Sequence, residues 1–105
     1  MIRIIVVDDH QLVRIGIRRL LEDVAGLKVI ADAGSGEEAV ELVRELKPDI
    51  VLMDIQMPEV NGYEATRQIR EFNKEVTIIA QTAFTQLGDR EKAIEAGCND
   101  YISKP

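Results

Sequence analysis

Ile50-Val51-Leu52-Met53-Asp54, four apolar residues closed by an acid, decides the reading of this 105-residue sequence. The same design stands near the start, where Ile4-Ile5-Val6-Val7 runs into Asp8-Asp9, and a third apolar run covers Val76-Thr77-Ile78-Ile79-Ala80. Short apolar runs without alternation suit strands covered on both faces, as in a parallel sheet between layers of helices. Leu27 to Ala33 and Tyr101-Ile102 read as weaker strands nearer the sheet edges.

Between the runs the apolar period changes to that of a helix. Val13, Ile17, Leu20 and Val24 are spaced by four, three and four; Ala39, Val43 and Leu46 repeat the pattern, as do Ala65, Ile69 and Phe72. Ser35 with Glu38 forms a capping box for the second helix, and Pro48 closes it. Gly97 stands where a left-handed residue ends the fourth helix. The order is therefore β-α-β-α-β-α-β-α-β, an α/β fold with a parallel five-stranded sheet. With strand order 2-1-3-4-5 taken as a working assumption, right-handed crossovers put the first helix alone on one face and the other three opposite.

Length and composition exclude several classes of function. One domain, residues 1–105, accounts for the chain, and no repeat or linker interrupts it. Thirteen Lys and Arg against nineteen Asp and Glu leave a net charge of -6, so no basic footprint for nucleic acid or for an anionic membrane surface exists. With 4% aromatic residues and no Trp there is no platform for stacked bases. No apolar run approaches the ~20 residues of a membrane helix, and no signal-peptide pattern precedes the first strand. A cytoplasmic protein is expected, with the single Cys98 as a small core residue.

Asp8, Asp9 and Asp54 all follow apolar strands, so a parallel sheet brings them to one edge. If strands 1 and 3 are neighbours, that edge is also the topological switch point, where such folds bind ligands. Taken alone, Asp8-Asp9 also suits an ordinary strand-to-helix turn. Three converging carboxylates repel one another and call for a cation; hard oxygen ligands favour Mg2+, which accepts phosphate oxygens as further ligands. Thr82 follows the fourth run and Lys104 the fifth, adding a hydroxyl and an ammonium at the same edge. Such a set surrounds one phosphoryl group, with Asp54 as nucleophile forming an acyl phosphate, Asp8 and Asp9 holding the cation, and Thr82 and Lys104 contacting phosphoryl oxygens.

These residues, within Val6-Val7-Asp8-Asp9-His10, Leu52-Met53-Asp54-Ile55-Gln56-Met57-Pro58, Asn61-Gly62, Gln81-Thr82-Ala83 and Asp100-Tyr101-Ile102-Ser103-Lys104-Pro105, give a chain that resembles the receiver domain of two-component response regulators and hybrid sensor kinases along essentially its whole length. The resemblance implies a flavodoxin-like three-layer sandwich and a phosphorylation-dependent switch rather than an enzyme, with self-catalysed phosphotransfer and autodephosphorylation at most. It implies phosphotransfer to Asp54 from a histidine kinase or histidine phosphotransfer protein. It assigns Asp8, Asp9, Asp54 and the Gln56 main-chain carbonyl to Mg2+, Thr82 and Lys104 to the phosphoryl group, and Tyr101 to a switch aromatic coupled to Thr82. It further implies a cis Lys104-Pro105 bond and a phosphoryl lifetime that depends on Gln56 and Phe84, with the small Ala83 leaving the group accessible. The amino-terminal half resembles receivers of DNA-binding response regulators, and the segment from Ala80 to Tyr101 those of hybrid sensor kinases.

Receivers continue past the Lys-Pro motif into a fifth helix, whereas this sequence ends at Pro105. The expected consequence is exposed apolar sheet surface beside the first helix and self-association through it. Two rivals to the phosphorylated switch are a phosphorylation-independent interaction module and a dinucleotide-binding domain. The latter rests on Gly34-Ser35-Gly36-Glu37-Glu38-Ala39, but Glu37 and Glu38 stand where a pyrophosphate needs positive potential. An aspartyl phosphohydrolase is a third, but Gln56 occupies the place of its second acid and no cap domain fits. His10 directly follows the acidic pair and could approach the metal, but a lone His is more often a loop residue beside the site; Arg14, Arg18 and Arg19 lie on the first helix as a partner-docking face or, more commonly, a solvated one.

Overall fold

The computed structural model describes residues 1–82 and 88–103. Five strands, β1 (Ile2–Val7), β2 (Leu27–Ala33), β3 (Ile50–Asp54), β4 (Thr77–Thr82) and β5 (Asp100–Ser103), alternate with α1 (Gln11–Glu22), α2 (Gly36–Leu46), α3 (Gly62–Phe72) and α4 (Asp89–Ala96). All pairings are parallel and the strand order is β2-β1-β3-β4-β5. The two weak strands are thus the edges, and the three apolar runs form the centre.

Alternate residues of the central strands feed two cores. Ile5, Val7, Val51, Met53, Ile78 and Ala80 pack with Ala39, Val40 and Val43 of α2, Ala65 and Ile69 of α3, and Ala93 of α4. Ile4 and Val6 face the other way, onto Ile17 of α1 with Val13 and Leu21. Among the described residues one helix covers one face and three cover the opposite one, as right-handed crossovers require for this order. Cys98 and Met53 are core residues. Beside α1 lies an apolar hollow lined by Ile4, Leu21, Leu27, Leu52, Ile79 and Ile102.

The buried stripe of α1 differs from the one read in the sequence. Leu20 is 65% exposed and Val24 lies beyond the helix, while Leu21 packs inward; the stripe runs Val13, Ile17, Leu21. Adjacent leucines satisfy either spacing, and only the direction of the helix against β1 and β2 chooses between them. Phe72 is also exposed at its edge, with the Arg44 guanidinium 4.7 Å from its ring centre.

Helix ends follow their sequence signals. Ser35 Oγ accepts from Glu38 N (3.2 Å), and Asn61 Oδ1 accepts from Glu64 N (3.0 Å). The Glu38 carboxylate, however, accepts from Gly34 N (2.8 Å) rather than from the cap residue itself. Gly97 ends α4 at a φ of 114°, which L side chains rarely adopt. The last carbonyls of α2 are satisfied from a distance: Arg3 donates to Leu46 O (2.8 Å) and Lys47 O (3.0 Å).

Candidate functional site

The register builds the site at the carboxyl ends of the central strands. Val7 pairs with Met53 and Asp54 with Gln81, so Asp8 follows β1 where Asp54 ends β3, and Thr82 ends the next strand. All three polar residues are buried: Asp8 and Thr82 are 0% exposed and Asp54 is 1% exposed. A buried carboxylate is tolerated only where it is partnered, so what holds Asp8 and Asp54 defines the site. The site therefore sits between β1 and β3, where the strand order reverses direction.

Both buried acids are fixed by the same local device. Asp8 Oδ1 accepts the His10 backbone N–H (2.9 Å), and Asp54 Oδ1 accepts that of Gln56 (3.0 Å). Each carboxylate is thereby held by the turn that follows its own strand. The turn after β3 is pressed down by α3, because a Cβ on Gly62 would overlap the Asp54 main-chain oxygen and stand 2.6 Å from Ile55 Cα. Only glycine permits that approach.

Asp8, Asp9 and His10 each offer a ligand atom within 4.8 Å of the others. Asp9 Oδ1 is shielded from solvent and has no hydrogen-bond donor among the described residues, although it stands 3.0 Å from His10 Nδ1. An orphaned, shielded carboxylate oxygen beside a second acid fits a bound divalent cation, which would satisfy it. The chemistry of the donor set agrees, being mainly carboxylate oxygen.

Arg14 belongs to this site and not to a solvated face. Its guanidinium donates to the Asp8 main-chain oxygen (2.6 Å) and to Asp32 Oδ1 (3.1 Å), and its side chain is only 18% exposed. Arg18 reaches the other Asp32 oxygen, while Arg19 is exposed. The sequence carries a faint signal for this, an acid inside strand Leu27–Ala33, but its meaning depends on β2 lying beside α1.

On the other side of the sheet edge, Tyr101 is half-buried and its hydroxyl donates to Asp89 Oδ2 (3.4 Å), at the start of α4. Tyr63 of α3 donates to the Asp89 main-chain oxygen (3.4 Å). Burial first, then the Asp89 charge, push the Tyr63 phenol up to about 12. This cluster joins α3, α4 and β5 and was not read from the sequence, because its members lie far apart along the chain. Lys104, Ala83, Phe84 and the Lys104-Pro105 bond lie outside the described residues. Gln56 is exposed beside Asp54. The glycine-rich rival loses its space: a Cβ on Gly36 would overlap the Val60 main-chain oxygen, so the loop's close approach is made to Val60 and not to a ligand.

The response regulator receiver domain family matches residues 4–105. The response regulator UvrY of Escherichia coli (strain K12) is 47% identical over 104 residues, which cover 99% of this chain and 48% of that protein. The chain thus spans about half the length of the full relatives it matches. Among solved structures, a LuxR-family two-component response regulator from Aurantimonas sp. SI85-9A1 superposes with a TM-score of 0.93 at 44% identity, covering 97% of this chain and 73% of that one. The receiver domain of Ssk1 from Saccharomyces cerevisiae, solved with the histidine phosphotransfer protein Ypd1, gives 0.87 at 32% identity, covering 99% and 79%.

Proposed function

This chain belongs to the response regulator receiver domain family, and from that premise we propose that Asp54 is its phosphoacceptor and that a phosphoryl group there sets a signalling switch. The observation that carries the reading is the meeting of buried Asp54 with buried Asp8 and Thr82 at the crossover of the sheet. Asp54 supplies the attacking carboxylate oxygen, held in orientation by the Gln56 N–H. Asp8, Asp9 and the Gln56 carbonyl, with Asp54, hold Mg2+. When bound, Mg2+ offsets the negative charge of the carboxylates and of the incoming phosphoryl oxygens. Thr82 donates its hydroxyl to a phosphoryl oxygen, and Lys104, whose part is carried over from the family resemblance, offsets the phosphoryl charge.

Switching is a shift of population toward the state in which Thr82 engages the phosphoryl group and Tyr101 follows inward. The donor is a histidine kinase or a histidine phosphotransfer protein, a reading supported by the partner of the Ssk1 receiver. Phosphoryl transfer in and hydrolysis out are the chemistry of the domain, with no other substrate, and the lifetime between them depends on Gln56 and Phe84. We place the protein in the cytoplasm, without direct contact to nucleic acid; among the described residues no helix is long and apolar enough to cross a membrane. Residues 1–105 act as one receiver unit, and the apolar hollow beside α1 supports self-association through that face.

The test is incubation with a small acyl-phosphate donor and Mg2+. Intact mass is expected to show one added phosphoryl group, lost in Asp54→Asn and on chelation of the metal. Undiminished modification of Asp54→Asn overturns the reading. Sedimentation at rising concentration tests the self-association, which a constant monomeric mass contradicts.

A further inference from the structure

We infer that His10 is itself a ligand of the cation in the acidic pocket, which makes that pocket a site for a first-row transition dication such as Mn2+ in preference to Mg2+. The inference rests on the reading of Asp8 and Asp9 as cation ligands and adds to it a nitrogen donor and a selectivity.

His10 occupies the cap position of α1, yet its side chain makes no cap hydrogen bond. Instead, Nδ1 stands 3.0 Å from Asp9 Oδ1 and 3.4 Å from Asp8 Oδ1. The shorter of these is not a hydrogen bond, since Asp9 Oδ1 has no donor among the described residues. Two adjacent ligands on an octahedral ion with bonds of ~2.1 Å stand ~3.0 Å apart, which is the separation found here. A shielded oxygen and a ring nitrogen at ion-pair distance but outside hydrogen-bond geometry are placed as two ligands of one cation would be.

The imidazole is 70% exposed, so the ion it holds keeps access to water and to an incoming phosphoryl group. Nitrogen is a poor donor for Mg2+ and a good one for transition ions, so its presence tilts the preference of a site otherwise made of oxygen. The turn cannot easily swing His10 away, because its backbone N–H is bonded to Asp8 Oδ1 (2.9 Å) and its carbonyl accepts from Arg14 N (3.1 Å).

His10 is the only histidine of the chain, which permits a direct test on protein free of any histidine tag. Mn2+ and Mg2+ affinities are measured calorimetrically for the natural protein and for His10→Gln, and pulsed electron paramagnetic resonance of bound Mn2+ is searched for imidazole nitrogen coupling. The expected result is a nitrogen coupling that vanishes in His10→Gln. The same substitution weakens Mn2+ binding by about tenfold or more, the scale set by histidines that order metal sites, with Mg2+ binding changed by less than about twofold. Mn2+ bound without nitrogen coupling, or equal affinities in the two proteins, overturns the inference and leaves the oxygen site standing. Failure of either ion to bind at Asp8 and Asp9 overturns both. A matching thermal melt for His10→Gln, expected for so exposed a side chain, separates loss of a ligand from loss of fold.

Discussion

Gly62→Ala adds one methyl group where α3 meets the backbone of the proposed phosphoacceptor. The new Cβ overlaps the Asp54 main-chain oxygen and stands 2.6 Å from Ile55 Cα, against the 3.4 Å at which ordinary contact begins. Both obstacles are backbone, so neither can rotate aside, and the start of α3 or the turn after β3 must move by roughly 0.8 Å at that contact. Overfilling a close-packed contact costs about 1–3 kcal/mol. Alanine's better helix propensity recovers at most ~1 kcal/mol. Overlap with two backbone atoms takes the upper part of the overfilling range, about 2–3 kcal/mol, so the net expectation is a loss of about 1–2 kcal/mol, a Tm lowered by roughly 4–16 °C at this chain length. Gly16 supplies the opposite case, since it is exposed within α1 and nothing lies within 4 Å of its Cβ direction. Gly16→Ala therefore gains the propensity term alone, about 0.5–1 kcal/mol, with no collision to offset it. Urea denaturation of the two variants reads both signs, and acyl-phosphate incorporation reads whether Asp54 has shifted, with slower incorporation expected for Gly62→Ala only. If Gly62→Ala is as stable as the natural protein while Gly16→Ala gains as stated, the packing argument is wrong.

Three other outcomes follow from side chains that bridge elements. Arg14→Ala removes the bonds to the Asp8 oxygen and to Asp32 and is expected to cost about 1.5–3 kcal/mol in urea denaturation, with Arg14→Lys giving little rescue because an ammonium cannot copy the planar fork; a change below about 0.5 kcal/mol counts against its bridging role. Arg70 donates to the oxygens of Gly97, Asn73 and Val76 and to Asn99 Oδ1, so Arg70→Met strands several acceptors and lowers stability by about 2–3 kcal/mol, whereas an unchanged urea midpoint contradicts this. The folded state holds the Tyr63 proton up to about pH 12 while the unfolded chain releases it near 10.0, so this contribution to stability is complete below pH 10.0 and is lost as pH rises to about 12. Denaturation across that range should show the decline, and Tyr63→Phe should flatten it; an identical slope in the variant refutes the assignment.

The parts legible in the sequence are those encoded within one element. Ile4–Val7 and Ile50–Met53 mark central strands because nothing polar interrupts them, and Asp8 with Asp9, and Asp54, mark the candidate site because they directly follow such runs. Ser35 and Gly97 mark helix ends through local hydrogen bonding or a local backbone angle, and the Asn61 cap of α3 is a further signal of that local kind that the sequence reading did not use. The remaining features depend on partners that only the tertiary arrangement supplies. Leu20 and Leu21 fit the helical period equally well, and the sheet alone selects Leu21. Arg14 fits a solvated face on the helical pattern alone, whereas the fold sets Asp32 beside it, and Arg3 and Arg70 reach carbonyls whose nearness the chain order does not announce. Asp89 gathers Tyr63 and Tyr101 from elements 26 and 12 residues away, beyond the reach of any local pattern.

The most direct measurement locates the phosphoryl group itself. After reaction with the acyl-phosphate donor and Mg2+, the aspartyl phosphate is reduced with borohydride, which converts the modified aspartate to homoserine, and the digested protein is sequenced by tandem mass spectrometry. Homoserine at position 54, and at neither 8 nor 9, is the result expected of a nucleophile at the end of β3 flanked by cation ligands. Homoserine at Asp8 or Asp9, or none at position 54 in protein that has gained a phosphoryl group, contradicts the account.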